Sequence, residues 1–131
     1  MWLAAVLATT VLATSCGGPL GNSEWTLVGL ADSDAPRVEG ILSFDLLGGV
    51  GGVGPCNLFS GGSYSTSGDA ITIDPGFSTL AYCLDGAVMA AEAAYLQALL
   101  DARSYRLDAY GLLTLANDQG ETIAWFERAG S

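Results

Sequence analysis

Apolar and polar residues alternate along most of this chain with a period of two, in short blocks set apart by glycine-rich or polar turns. Trp25–Ala31 reads as a first strand. In Gly40–Leu46, Leu42, Phe44 and Leu46 fall on one face and Ser43 and Asp45 on the other. A strand around Ser63–Thr66, a turn at Ser67–Gly68 and a strand Ala70–Asp74 read as a hairpin, with Ile71 and Ile73 sharing a face and Pro75–Gly76 ending it. Ser104–Tyr110, Gly111–Asp118 and Glu121–Ala129 supply three more strands, with turns near Tyr110–Gly111 and at Asn117–Gly120.

One segment changes period. Gly86–Ala102 is alanine-rich, has Asp85 placed as N-cap, and carries Arg103 at the end where a cation suits the helix dipole. Met89, Ala93, Leu96, Leu99 and Leu100 recur at helical spacing and are the predicted buried stripe. Glu92 stands in mid-helix and reads as a solvated or salt-bridged side chain, a functional role being the alternative. Seven or eight strands with one helix predict a mainly β, α+β domain: a curved antiparallel sheet closing toward a small barrel, the helix packed on it.

Gly49-Val50-Gly51-Gly52-Val53-Gly54 matches the letters of a dinucleotide-binding loop. That loop must open a helix whose N-terminus receives the pyrophosphate. Here Pro55 and a Gly/Ser-rich run follow, so the segment is expected to be a flexible or bulged connection between strands. No cofactor is implied.

The N-terminal segment is apolar from Trp2 to about Leu12. It is shorter than the ~20 residues a spanning helix needs and reads as a secretory signal, residues 1–15. Leu12-Ala13-Thr14-Ser15-Cys16 resembles a bacterial lipobox, although Ala13 replaces the favoured leucine and no Lys or Arg precedes it. The resemblance implies a diacylglyceryl group on Cys16, which becomes the new N-terminus, a lipidated tether over residues 16–24, and a domain over residues 25–131. Two or more acyl chains anchor stably where one does not.

Composition narrows the partners. The net charge is −10, with no lysine and four arginines, Arg37, Arg103, Arg106 and Arg128. Nucleic acid requires a basic face and is excluded. Membrane attachment must come from the lipid on Cys16 rather than from basic side chains. The chain has no histidine and three cysteines. A cysteine nucleophile would lack its usual base, and a structural zinc site would lack ligands. With Cys16 lipidated in an oxidising compartment, Cys56 and Cys83 are expected to form a disulfide.

The ordered landmarks resemble the META-domain, or HslJ-like, family. They are Trp25-x-Leu27; Gly54-x-Cys56-Asn57-x-Phe59-x-Gly61; Thr79 four residues before Cys83; Met89, Glu92, Tyr95, Leu96 and Leu99 on the helix; Leu113-Thr114-Leu115; and Phe126-Glu127-Arg128. The resemblance implies a small β-rich envelope domain, often behind a lipobox. It carries links to heat-shock induction, novobiocin tolerance and, in a parasite, secretion or motility, and it brings no catalytic residues. Two departures stand out. Gly61-Gly62-Ser63-Tyr64 has one residue more than the family's usual GSY, which reverses the facing of Tyr64 unless a bulge absorbs it. Ala81-Tyr82 replaces the usual Met-Ala.

Asn57 is expected to fix its turn rather than touch a ligand. The reading that follows is a non-enzymatic, membrane-anchored monomer that supports envelope integrity or binds an envelope protein or small ligand. Its alternatives are a lipocalin-like carrier of an apolar ligand and a hydrolase that would need two converging carboxylates among Asp45, Asp69, Asp74 and Glu92.

Overall fold

The computed structural model describes residues 18–31, 39–79, 83 and 85–129. The expected signal segment and Cys16 lie outside these residues, as do Arg37 and Ala81-Tyr82. A 3-10 turn, Gly18–Leu20, precedes eight strands: β1 (Ser23–Leu30), β2 (Ile41–Phe44), β3 (Gly49–Val53), β4 (Leu58–Ser67), β5 (Ala70–Ser78), β6 (Ser104–Leu107), β7 (Leu112–Ala116) and β8 (Thr122–Arg128). One helix, α1 (Gly86–Asp101), lies between β5 and β6. Leu20 is fully buried, so the folded body begins before Trp25.

Every neighbouring strand pair is antiparallel. The strands follow one another in ring order, and β8 returns to pair with β1, Trp25 opposite Arg128 and Leu30 opposite Ala124. The expectation of a sheet closing toward a barrel is corrected at one seam. β5 and β6 share only the pair Ala70–Ser104, whereas β4 and β5 pair from Phe59–Ser78 to Ser67–Ala70. β6 starts opposite the first residue of β5, so among the described residues the remainder of that edge has no strand beside it, and α1 packs against β5 instead. The body is an eight-stranded antiparallel sheet rather than a fully paired barrel: at the β5–β6 seam pairing narrows to Ala70–Ser104, flanked by the Ile71 N–H to Arg103 carbonyl and Tyr105 N–H to Asp69 carbonyl bonds, and α1 packs along β5.

Alternation builds the core. Trp25 and Leu27 of β1, Leu42 and Phe44 of β2, Ile71 and Ile73 of β5, Leu113 and Leu115 of β7, and Ala124 and Phe126 of β8 all point inward. Leu46 does not continue its predicted face. β2 ends at Phe44, because the Asp45 carboxylate accepts hydrogen bonds from the Leu47 and Gly49 N–H groups and turns the chain.

Two further expectations are corrected, and an alternative left open at Tyr64 is decided. The glycine run is strand β3, held by β2 on one side and β4 on the other. β5 runs through Pro75–Gly76 to Ser78, on the stretch without a β6 partner, where a proline with no N–H to give is tolerated. The extra residue in β4 is absorbed by a bulge against β3: Val50 pairs with Gly62 and Gly52 with Phe59. Phe59 and Tyr64 therefore both face inward although five residues apart. Tyr64 packs edge-on to Phe44, ring centres 4.6 Å apart, and donates to the Asp45 carbonyl at 3.1 Å.

The bulge depends on two glycines paired across the strands. Gly61 has φ 75° and Gly76 φ 82°, a region that L side chains enter only with strain. A Cβ on Gly76 would also strike the Ser60 carbonyl and the Gly62 N–H. Gly76→Ala is expected to destabilise the fold by about 2 kcal/mol or more, read as a lower urea midpoint with an unchanged m-value.

Helix α1 buries a different face from the one predicted. Ala91, Glu92, Tyr95, Ala98 and Leu99 are buried. Of the predicted stripe, Leu99 alone is fully covered. Met89 and Leu96 are half-buried, and Ala93 and Leu100 face outward. Both ends are capped as expected: Asp85 accepts from the Ala87 N–H at 2.9 Å, and Arg103 donates to the Leu100 carbonyl at 2.9 Å.

Candidate functional site: a carboxylate latch beside the disulfide

The β3–β4 connection closes on itself through the Gly54 N–H, which donates to the Asn57 carbonyl at 2.7 Å. Helix α1 passes beside this turn and presents Glu92. One carboxylate oxygen, Oε1, accepts from the Cys56 N–H at 2.9 Å and the Asn57 N–H at 2.6 Å. The other, Oε2, accepts from Asn57 Nδ2 at 2.6 Å. Asn57 Oδ1 in turn accepts from the Thr79 hydroxyl at 2.6 Å, and Thr79 Oγ1 accepts from the Leu58 N–H at 3.2 Å. Thr79 and Leu58 also pair through the backbone. The network ties the helix, the turn and the end of β5 together.

The same turn is held covalently. Cys56 and Cys83 form a disulfide, their Cα atoms 6.2 Å apart and 27 residues apart in sequence. Cys83 lies three positions before the first residue of α1, so the bridge fastens the turn to the approach to the helix and the Glu92 carboxylate fastens it to the helix itself.

Glu92 is only 7% exposed, which corrects the solvated or salt-bridged reading. Burial works to raise its pKa, but the hydrogen bonds from the Asn57 side chain, the Asn57 N–H and the Cys56 N–H outweigh it and hold the carboxyl below its ordinary 4.5. The carboxylate is thus charged and engaged by donors on both oxygens. Gly54 makes room for it, since a Cβ there would lie 2.6 Å from Oε1. One turn further along α1, Tyr95 is fully buried and donates to the Ile41 carbonyl at 2.8 Å. Its ring meets Phe59 edge-on with centres 5.8 Å apart, and burial pushes its phenol well above the ordinary value.

Of the singled-out residues, Cys56, Asn57, Thr79, Cys83 and Glu92 are therefore brought into one cluster, with Phe59 in the core beneath it. Gly61 sits in the β4 bulge and Met89 is half-buried on α1. Asn57 closes its own turn through its carbonyl, and its side chain reaches Glu92 on the helix and Thr79 after β5. The four carboxylates considered for hydrolysis occupy separate settings. Asp45 caps the β2–β3 turn, Asp74 accepts from the Gly76 N–H, Asp69 lies near Tyr105, whose phenol is raised by burial and by that charge, and Glu92 is in the latch. Among the described residues no group of three or more His, Cys, Asp or Glu could hold a metal. An open surface cleft of about 490 Å³ lies over β1–β4, where Glu24, Ser43, Asp45, Gly51 and Gly61 contribute to its lining. Its lining combines glycine backbone, serine hydroxyls and acids.

The comparisons agree with this architecture. The META domain family description matches residues 18–130. A protein from Burkholderia xenovorans solved by NMR superposes with a TM-score of 0.65 at 21% identity, covering 94% of this chain and 96% of that one. A crystal structure of a duf4847-family protein from Bacteroides vulgatus superposes with a TM-score of 0.61 at 16% identity, covering 85% and 95%. At these identities the likeness concerns the fold. No curated protein matches the chain.

Proposed function

We propose that this chain, which belongs to the META domain family, is a non-enzymatic envelope domain held at a membrane by lipid on Cys16 and active in tolerance of envelope stress through binding. The observation that carries the non-enzymatic part is the latch. The residues that mark the family resemblance spend their polar atoms on one another, with Glu92 receiving three N–H donors and Asn57 the Thr79 hydroxyl. A carboxylate that takes two N–H groups on one oxygen and an amide N–H on the other is suited to holding structure. The side chains that fill the interior, Trp25, Tyr95, Phe126, Leu42 and Leu113 among them, favour a binding surface over a carrier's cavity.

The anchoring part rests on the lipobox-like Leu12–Cys16. Cys16→Ser is expected to move the protein from the membrane fraction to the soluble one and to remove the acyl mass from its N-terminal peptide. A mature chain that keeps Cys16 unmodified and still sediments with membranes would overturn the anchor. For the stress role, a deletion strain is expected to become more sensitive to novobiocin or heat, with rescue by the wild-type chain but not by the unanchored one. Unchanged sensitivity would overturn it.

A further inference from the structure

Three turns of this fold share one design. Asp45–Gly49, Asp108–Leu112 and Asn117–Glu121 each begin with a side-chain oxygen that accepts from the N–H groups two and four residues on. Each has a glycine of positive φ at the fourth position, Gly48, Gly111 and Gly120. Each closes with the first residue's N–H donating to the fifth residue's carbonyl. With the turn chemistry constant, the two tip residues are free to vary. In the third turn they are Asp118 and Gln119, both exposed and polar. In the first they are Leu46 and Leu47, 53% and 88% exposed, and in the second Tyr110, 91% exposed, follows Ala109.

The difference follows the position of the turns. Ser23 pairs with Phe44, which places the Leu46–Leu47 turn at the start of β1. Trp25 pairs with Arg128, whose N–H donates to the Gly111 carbonyl, which places the Tyr110 turn at the same end. Gly18 lies beside Thr66 near the close of β4, again at that end. The Asn117 turn joins β7 and β8 at the opposite end. The apolar tips thus sit at the end where Gly18 lies, two positions after Cys16, the residue read as lipid-bearing.

We propose that the tips Leu46, Leu47 and Tyr110 dock into the interfacial layer of the bilayer that anchors Cys16, holding the domain end-on to the membrane. This rests on the lipid-anchor reading. Leucine and tyrosine side chains partition into that layer. The carboxylates of the two turns, Asp45 and Asp108, are folded back onto backbone N–H groups, which leaves the tips to lead. The acidic charge of the chain disfavours an anionic surface, so the layer is one of neutral, zwitterionic headgroups.

The test uses the full chain, purified from membranes and reconstituted in phosphatidylethanolamine-rich nanodiscs that contain a nitroxide-bearing lipid. Amide signals of Leu46, Leu47 and Tyr110 are expected to lose most of their intensity, while those of Asp118 and Gln119 keep theirs. Leu47→Asp combined with Tyr110→Asp, both at exposed positions, is expected to restore the Gly48 and Gly111 signals with the remaining spectrum unchanged. Uniform bleaching, no bleaching, or bleaching centred on the exposed Leu58 and Phe77 of the outer sheet face would overturn the proposal. Intact mass of the same preparation reads Cys16 separately. A lipidated chain without selective bleaching overturns the docking alone, and an unlipidated chain without it overturns both.

Discussion

Replacing Glu92 by alanine is expected to lower the unfolding free energy by about 3 to 5 kcal/mol at neutral pH, because buried N–H donors would lose a charged acceptor and find none in its place. Asn57 is 8% exposed, so water cannot fully replace the two bonds that it gives to the carboxylate. Glu92→Gln is the finer probe. It keeps an oxygen for the Cys56 and Asn57 N–H groups but sets an amide N–H against Asn57 Nδ2, and should cost about 1 to 2 kcal/mol. The two variants also differ from wild type in acid. The folded carboxyl titrates below its ordinary 4.5, so its contribution is complete above the unfolded value and is lost as pH falls below it through the folded value. The wild-type denaturation midpoint should fall over that window by more than the Glu92→Gln midpoint does. Equal acid sensitivity in the two proteins would contradict the latch.

Reduction of the disulfide is expected to have the second large effect. Opening a loop of 27 residues should cost about 3 to 4 kcal/mol in the chain-entropy account. The cost should not simply add to that of Glu92→Ala, because Cys56 contributes both a sulfur to the bridge and an N–H to the carboxylate. Urea titrations of wild type, Glu92→Ala, the Cys56→Ala/Cys83→Ala pair and the combined variant measure the coupling. A double loss equal to the sum of the separate losses would mean that the two fastenings act independently.

Much of the sheet was legible because alternation reports a two-faced strand directly. Leu42 and Phe44, Ile71 and Ile73, and Leu113 and Leu115 all lie inward as their spacing predicts. The cysteine pair was legible from compartment and count. What failed to show had three physical causes. The Gly49–Gly54 run carries little side-chain signal, and its strand character comes from neighbours on both sides. There small size is a packing requirement, since a Cβ on Gly52 would lie 2.6 Å from the Phe59 ring. Helix α1 is so rich in alanine that periodicity does not select its face, and Tyr95 and Glu92 decide it by tertiary contacts. The seam between β5 and β6 depends on where β6 begins along β5, a register that no local pattern encodes. Glu92 itself left one faint trace: it lies three positions before Tyr95 and next to Ala91, on the small-residue side of the helix.

The central claim is that the Glu92 carboxylate is a buried, charged strut rather than a reacting group. Its own titration in the folded protein, followed through the side-chain carboxyl carbon resonance, tests that most directly. The account predicts a folded pKa below 4.5 that rises toward the ordinary value when Asn57 is replaced by alanine. A value above 4.5, which would mark a proton held in reserve by burial, would contradict it.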